Sequence, residues 1–348
     1  MDVSKRIVIH GAGSVGCYIG GWLAAAGLPV AYLGRSGVQS EIAANGMLLT
    51  DQEGRQHRFG PDEVDYQTDP QLLSEATLIL VTVKSEGTPN AIAEIQRHAR
   101  EDVPVVSLQN GVRNVAALRA GLGDARVVAG MVPFNVAHTK AGHWHRGTSG
   151  ELHVEYGPLL DPYVPWFEKA GLPVVRMADV VGTQWGKLLL NLNNPINALS
   201  GLPLRVQLGE SGYRQCLALC IEEALQCITE AGIALPADIG LVPPAELITL
   251  LRLPDEDYGR QVGQRHKIDE QARSSMWEDL EQGRPTEIEY LSGEIVALAA
   301  TLGREAPFNA KARALIRAAE RGGRRDWTGP ELLQQFKDAA GTGADADC

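Results

Sequence analysis

The chain has 348 residues, a formal net charge of -11 at pH 7, and 44% hydrophobic residues. This length exceeds the usual size of one hydrophobic core, so we expect two domains. The acidic balance disfavours nucleic-acid binding, which needs a basic face. No apolar run approaches the length of a membrane span, and we expect no signal peptide before the first strand. These features predict a cytoplasmic protein without nucleic-acid or membrane partners.

The cysteines and histidines do not form a metal-binding pattern. The five cysteines are an odd number without zinc-ligand spacing, and three of them fall in one predicted helix: Cys216, Cys220 and Cys227. We expect buried thiols in a reducing compartment. Three histidines alternate with apolar residues in a predicted hairpin: His138, His143 and His145. They are interpreted as structural residues, and no bound metal is expected.

The N-terminal segment has the pattern of a strand, a glycine-rich turn and a helix. A short apolar run leads into Gly11-Ala12-Gly13-Ser14-Val15-Gly16, and helix-compatible residues follow. In a dinucleotide site the first glycine makes the turn, the second admits the pyrophosphate, and the third allows close packing of helix on strand. A tight turn that binds no ligand can have a similar glycine pattern. The position directly after a strand makes a dinucleotide site the better interpretation.

The end of the second predicted strand indicates which dinucleotide is bound. It reads Gly34-Arg35-Ser36, where an NAD-preferring site would carry an acid for the ribose hydroxyl. Arg35 can instead pair with a 2′-phosphate, so NADPH/NADP+ is the expected cofactor. The alternative is an ordinary solvated arginine.

Two further predicted strands end in polar residues. One ends in Lys84 and the next in Gln109-Asn110-Gly111. Ligands bind beyond the carboxyl ends of the strands in an open parallel sheet, so we expect Lys84 and Asn110 at the cofactor edge. Asn-Gly is also a common turn dipeptide, which remains the alternative for Asn110.

A later apolar helix, from Trp185 to Leu199, carries a cation and several amides. At about 100° per residue, three of them share one stripe: Lys187, Asn191 and Asn194. Asn193 points away from this stripe. Pro195 lacks the amide that a continuous helix needs, so we expect a kink there. A bound ligand could provide hydrogen-bond partners for the side chains of this stripe. The alternative is a lysine whose charged end reaches the solvent, together with amides on the surface.

The predicted architecture is α/β, with an N-terminal Rossmann-type parallel-sheet domain over residues 1–180 and an all-α C-terminal domain over 181–330. Beyond residue 204 the sequence predicts helices with Gly or Pro between them: 213–231, 245–251, 267–282, 285–302 and 309–321. Pro285 and Glu287 are expected in the first turn of the fourth. Residues 331–348 are expected to form a partly disordered tail.

Taken in order, these motifs resemble the ketopantoate reductase (2-dehydropantoate 2-reductase) family from Lys5 to about Asn309. The resemblance is carried by the glycine loop, Val83-Lys84, Gln109-Asn110-Gly111, Lys187 with Asn191, Ser274-Ser275-Met276 and the segment from Arg284 to Tyr290. It implies NADPH-dependent reduction of a 2-keto acid to a 2-hydroxy acid, with cofactor and substrate held between the two domains. Ketopantoate would be the leading substrate and pantothenate synthesis the pathway.

The resemblance also implies residue roles. Lys187 matches the general acid, and Asn110 and Glu287 match residues close to the reacting end of the substrate. Ser275 matches a serine that binds the substrate carboxylate. Without the motif, Glu287 would be interpreted as a helix N-terminal carboxylate and Ser275 as a solvated serine. The remaining matches are to cofactor contacts, at the adenosine phosphate and nearby ribose: Arg35 and Lys84.

Two departures from the family pattern concern the substrate. The segment from Lys187 to Pro195 is one residue shorter, so either Asn193 or Asn194 could join Asn191 in binding substrate, and helix phase selects Asn194. An asparagine that holds the ketopantoate C4 hydroxyl has no counterpart in residues 201–205. The segment at about 236–264 is also longer than in compact members.

Three functional hypotheses therefore stand. The first is ketopantoate reduction, the second is reduction of another 2-keto acid on the same fold, and the third is a non-catalytic NADP(H)-binding sensor. A sensor has no use for Lys187, Asn191, Ser275 and Glu287 together, which counts against it. The sequence leaves open whether the chain acts as a homodimer.

Overall fold

The computed structural model describes residues 6–237, 242–262 and 272–341. The chain divides into two compact units, Met1–Gln184 and Trp185–Cys348. The boundary lies four residues after the predicted one, within the helix Val180–Asn191.

The first unit is built from strands and helices in alternation. Its strands, in chain order, are β1 (Arg6–His10), β2 (Val30–Leu33), β3 (Met47–Asp51), β4 (Gln56–Phe59), β5 (Tyr66–Gln67), β6 (Ala76–Val81), β7 (Val105–Ser107), β8 (Val127–Met131), β9 (Val136–Lys140), β10 (His143–Arg146), β11 (Leu152–Glu155) and β12 (Val174–Met177). Its α-helices are α1 (Ser14–Ala25), α2 (Ser36–Asn45), α3 (Thr88–His98), α4 (Asn114–Leu122) and α5 (Val164–Lys169). Short 3-10 helices lie at Pro61–Glu63, Pro70–Glu75, Ser85–Gly87 and Asp124–Arg126.

The main sheet has the strand order β12-β11-β8-β7-β6-β1-β2-β5. Its pairs are parallel except for β11, which runs antiparallel to β8. Along β1, Ile7 and Ile9 pack in one core cluster with α1, whereas Val8 belongs to a second cluster with α3 and α4. Both faces of the strand are therefore covered, which explains its continuous apolar run. The Rossmann-type prediction is confirmed.

A second, four-stranded sheet has the order β4-β3-β10-β9. Within it β3 and β4 form a hairpin, and β3 also pairs in parallel with β10. This parallel pairing was not predicted, because partners such as Leu48 and His143 lie far apart in the sequence. Thr50 Oγ1 hydrogen-bonds His143 Nε2 at 2.8 Å and His145 Nδ1 at 2.7 Å, and His138 pairs with Glu41. These histidines have structural partners. Among the described residues, no group of three or more His, Cys, Asp or Glu side chains could hold a metal.

The second unit is helical in its described residues. Its helices are α6 (Val180–Asn191), α7 (Asn193–Ser200), α8 (Leu204–Gly209), α9 (Ser211–Glu230), α10 (Pro244–Leu251), α11 (Asp255–Gln261), α12 (Ser275–Glu281), α13 (Ser292–Thr301), α14 (Pro307–Ala319) and α15 (Gly329–Gly341), with a 3-10 helix at Ile288–Tyr290. The central helix is α9, which buries the three cysteines predicted as core thiols. The fifth, Cys348, lies outside the described residues. No described helix is long and apolar enough to cross a membrane.

A buried arginine of α9 contacts the described part of the long segment around residues 236–264. Arg214 is 0% exposed, and its guanidinium donates to the carbonyls of Leu208, Leu251 and Leu253 at 3.2 Å or less. It also donates to Asp255 at 2.8 Å. Buried arginine needs such partners, and here they fix α10 and α11.

Two predicted helices begin later than expected. The helix predicted from residue 285 is wrong in its first part, because the α-helix begins at Ser292. Leu291 has φ -116° and ψ -97°, which separates α13 from the preceding 3-10 helix. Pro285 and Glu287 therefore lie in a loop. The helix predicted over 267–282 begins at Ser275 in the described residues, and 263–271 lie outside them.

The segment predicted as a partly disordered tail from residue 331 includes a helix in its described part. Helix α15 covers Gly329–Gly341 and packs on α9 with Leu332 and Phe336 fully buried. Its apolar residues are spaced four apart, which places them on one helix face. Residues 342–348 lie outside the described part of the chain.

We expect Phe336→Ala to destabilise the protein by about 3–5 kcal/mol, because it removes a buried ring from the α9–α15 contact. The neighbouring exposed residue provides the control, and Lys337→Ala should stay near wild type. Urea unfolding followed by circular dichroism measures both. Equal stability of the two variants would contradict the packing of α15.

Candidate functional site

The glycine loop after β1 has three distinct glycine environments. Gly11 has φ +105°, and a Cβ there would lie 2.3 Å from the Val83 amide nitrogen. At Gly16 a Cβ would lie 2.5 Å from Thr82 Oγ1, because α1 packs closely on the end of β6. At Gly13 a Cβ would meet no atom within 4 Å. Gly11 and Gly16 are thus required by the fold, whereas Gly13 faces open space, as a pyrophosphate site needs.

The loop is tied to the end of β2, where the cofactor-selecting residue was predicted. The amides of Gly11 and Ala12 donate to Leu33 O at 2.9 and 3.1 Å. Arg35 follows two residues later, with its side chain exposed. Its carbonyl accepts a hydrogen bond from Tyr66 Oη at 3.2 Å. Tyr66, on the edge strand β5, was not predicted, and its sequence context gives no signal for this role. The fold brings Arg35 beside the glycine loop.

The two other predicted cofactor residues lie at the same edge of the sheet. His10 aligns with Val81, and Val81 aligns with Ser107, so β1, β6 and β7 end level with one another. Lys84 lies three residues after Val81, and Asn110 lies three residues after Ser107. Both side chains are half-buried. Parallel strands place their carboxyl ends together. The structure therefore brings the glycine loop, Arg35, Lys84 and Asn110 to one edge.

A buried glutamine joins the loops that carry Lys84 and Asn110. Gln109 Nε2 donates to Val83 O at 3.0 Å and to Thr88 Oγ1 at 2.8 Å. Ser85 Oγ donates to Asn110 O at 3.2 Å. Gln109 lies in the Gln109-Asn110-Gly111 motif, but no role had been predicted for it. Its position directly before Asn110 was the available signal.

In the second unit, Lys187 lies on α6 between buried apolar residues. Its side chain is half-buried, and Leu188 and Leu189 are at most 1% exposed. Burial lowers the pKa of Lys187 to about 8, and the negative charge of Glu287 partly opposes this fall. An ammonium with such a pKa can release its proton near neutral pH.

The helix predicted to carry the polar stripe is interrupted in the structure. Leu192 separates α6 from α7, close to the kink expected from Pro195. Asn193 is buried and exchanges two amide hydrogen bonds of 3.2 Å with the fully buried Gln207. Asn194 is half-buried, as is Asn191 at the end of α6. The side chain of Asn193 is therefore directed to α8.

Ser275 is the exposed first residue of α12, and the residue before it fixes this helix on α7. Ser274 Oγ caps α12 by accepting from Trp277 N at 3.1 Å and donates to Asn194 O at 3.3 Å. Ser274 N donates to Asn197 Oδ1 at 2.9 Å. These contacts bring Ser275 close to Asn194. Asn197, which is 0% exposed, was not predicted, although it continues the run of asparagines on this helix.

Comparisons with known proteins identify the family. The family model described as ketopantoate reductase PanE/ApbA matches residues 7–158, and the model of its C-terminal part matches residues 179–320. The chain belongs to the ketopantoate reductase family. A curated relative from Pyrococcus horikoshii, named 2-dehydropantoate 2-reductase, is 28% identical across 90% of this chain and 97% of its own. A relative of the same name from Halobacterium salinarum is 26% identical across 91% of this chain and 100% of its own.

Solved structures agree with this assignment. A PanE/ApbA family ketopantoate reductase from Ralstonia eutropha has a TM-score of 0.77 and 31% identity, covering 91% of this chain and 99% of its own. D-mandelate dehydrogenase in complex with NADH and anilino(oxo)acetate shares the fold, with a TM-score of 0.75 at 18% identity over 91% and 99% of the chains. The expected family and fold class are thus confirmed, and the protein is an NAD(P)H-dependent reductase of this family.

We expect Gly13→Ala to retain the wild-type melting temperature but to weaken NADPH binding roughly tenfold or more, because its Cβ would enter the open space beside the loop. Gly16→Ala is the contrasting variant. The Cβ of this variant would clash with Thr82. The substitution should therefore lower the melting temperature. Thermal melts and fluorescence titration with NADPH measure the two effects. Unchanged affinity in Gly13→Ala would contradict the assignment of this loop.

Proposed function

We propose that the protein reduces a 2-keto acid to the 2-hydroxy acid with NADPH, and that 2-dehydropantoate is its substrate, as in pantothenate and coenzyme A synthesis. Family membership and coverage of nearly the whole length of the relatives support this function. The observation that carries the chemistry is Lys187, whose pKa is lowered by burial to about 8 beside Glu287.

The carboxyl edge of the main sheet fits a nicotinamide dinucleotide. Open space at Gly13 and the close packing at Gly11 and Gly16 suit a pyrophosphate at the start of α1. Arg35 and the lack of an acid in residues 34–36 favour NADPH over NADH, because a guanidinium pairs with a 2′-phosphate. Lys84 supplies a second cation. When bound, the cofactor supplies a hydride to C2 of the keto acid.

Lys187 serves as the general acid. Its ammonium donates a hydrogen bond to the C2 carbonyl oxygen and transfers a proton as negative charge develops there. With a pKa of about 8, the group is about nine-tenths protonated at pH 7. Glu287 stabilises that charge against the effect of burial. Asn110, at the cofactor edge, is a neutral hydrogen-bonding group suited to a carbonyl or hydroxyl oxygen.

The remaining polar groups are suited to the substrate. Ser275, exposed at the start of α12, would bind the carboxylate, and Asn191 and Asn194 would bind hydroxyl or carbonyl oxygens. Asn194 is favoured over Asn193, because the amide of Asn193 is engaged by Gln207 inside the helical unit.

One observation favours another 2-keto acid as a second candidate. The segment after α7 reads Gly201-Leu202-Pro203-Leu204-Arg205, without an amide side chain for the C4 hydroxyl of ketopantoate. Leu204 N donates to Ala272 O at 2.8 Å, so this segment is fixed by its own backbone contact. A keto acid with a different C4 substituent would use the same proton donor.

Turnover of a panel of 2-keto acids, followed by NADPH absorbance, tests the proposed function. We expect oxidation of NADPH with ketopantoate, and Lys187→Ala should reduce kcat about 100-fold or more, because the proton donor is lost. Lys169→Ala, at an exposed position on α5, is the control and should match wild type. Activity with another keto acid alone would support the second candidate. No turnover with any keto acid, despite NADPH binding, would contradict the reductase and favour a sensor.

Arg35→Ala should weaken NADPH about tenfold or more while leaving NADH nearly unchanged, because only NADPH carries the 2′-phosphate. The exposed Arg58→Ala, on β4 of the second sheet, controls for loss of general positive charge. Binding titrations with both dinucleotides measure this difference. An equal loss for NADPH and NADH would contradict the role of Arg35.

A further inference from the structure

Glu287 lies in a loop, although its charge must be held in place to act on Lys187. It is the residue before the 3-10 helix Ile288–Tyr290, and α13 begins only at Ser292. A loop residue is not fixed by the hydrogen bonds of a continuous helix. Its own carbonyl accepts one bond, from Tyr290 N at 2.9 Å. The contacts of its neighbours therefore fix the backbone from which this carboxylate extends.

The residue before Glu287 is bound to the end of α14. Thr286 is 7% exposed, and both its amide and its hydroxyl donate to Glu320 Oε1, at 3.0 and 2.7 Å. The other oxygen of Glu320, Oε2, accepts from Arg317 at 2.7 Å. Two hydrogen bonds to one carboxylate fix both the backbone and the side chain of Thr286.

The residue two positions after Glu287 is bound to the same helix. Glu289 accepts from Arg313 Nε and from Arg317 Nε, each at 2.9 Å. Arg317 thus joins Glu289 to Glu320. Ile288, between these contacts, is fully buried. We call the series Thr286, Glu320, Arg317 and Glu289 the anchoring chain.

We propose that Thr286 and Glu320 are positioning residues, which act through the anchoring chain to hold the Glu287 carboxylate toward Lys187. The anchoring chain binds the loop to one helix, α14, on both sides of Glu287. The backbone of Glu287 therefore has little freedom to turn. Burial opposes ionisation of Glu320 and Glu289, but the hydrogen bonds from the arginines lower the pKa of both carboxyl groups. The carboxylates of the anchoring chain are therefore charged at neutral pH, and its hydrogen bonds are intact.

The consequence can be observed at Lys187. Glu287 raises the pKa of Lys187 against the stronger effect of burial. If Glu287 turns away, the lysine pKa falls below about 8. The ammonium then loses its proton at lower pH, and the alkaline limb of the kcat profile shifts to lower pH. KM for the keto acid should change much less. The residues proposed to bind the substrate, Asn191, Asn194 and Ser275, do not belong to the anchoring chain.

Thr286→Val tests this inference, since it keeps the shape of the side chain but removes the 2.7 Å hydroxyl bond to Glu320. We expect the alkaline limb of kcat to move down by about half a pH unit or more. Thr286→Ser restores the hydroxyl and should restore the wild-type profile. Glu331→Gln breaks a surface ion pair with Arg324 and should leave the profile unchanged.

A second readout does not depend on turnover. Competitive acetylation of Lys187 with acetic anhydride across pH, read by mass spectrometry, should give a midpoint of about 8 in wild type and a lower one in Thr286→Val. The inference rests on the proposed function only for its effect on kcat. A wild-type enzyme without turnover would contradict the proposed function, while the acetylation midpoints would still test positioning. A lower melting temperature with an unchanged midpoint would overturn the inference, because that is the result of a purely structural role.

Discussion

The chemistry proposed for the helical unit depends on one ammonium group placed on an apolar helix. Removing a lysine from water disfavours its charge, and here burial takes the pKa of Lys187 to about 8. An opposing charge limits this fall in pKa and keeps more of the group protonated at neutral pH. Glu287 supplies that charge, but it comes from a loop. The contacts that hold this loop therefore bear on the proposed proton transfer.

Two amide side chains of α7 have structural partners, whereas Asn194 is proposed to bind substrate. Asn193 is bound to Gln207, and Asn197 is bound to Ser274 and to Leu202. These two amides fix the short helix α7 to α8 and α12. Asn194 lies between them in sequence but on another side of the helix, and it is half-buried. Fixing a helix by its buried amides leaves its remaining polar face with a defined direction.

Much of the fold was predictable, because the motifs combine periodicity with position. The continuous apolar strands and the glycine loop predicted a covered parallel sheet, and helix phase separated Asn193 from Asn194. The long-range contacts were not predictable. The pairing of β3 with β10 and the contact of Tyr66 with Arg35 join residues distant in the chain. Pro285 and Glu287 have the local pattern of a helix start, but tertiary contacts from α14 to Thr286 and Glu289 favour a loop instead.

NMR can observe the titration of Lys187 directly. Protein labelled with ¹³C at lysine Cε can be titrated in the absence of substrate. We predict one resonance with a midpoint of about 8, present in wild type and lost in Lys187→Ala. If every lysine resonance instead titrates at about 10, as unperturbed lysine does, Lys187 is not the proton donor described here.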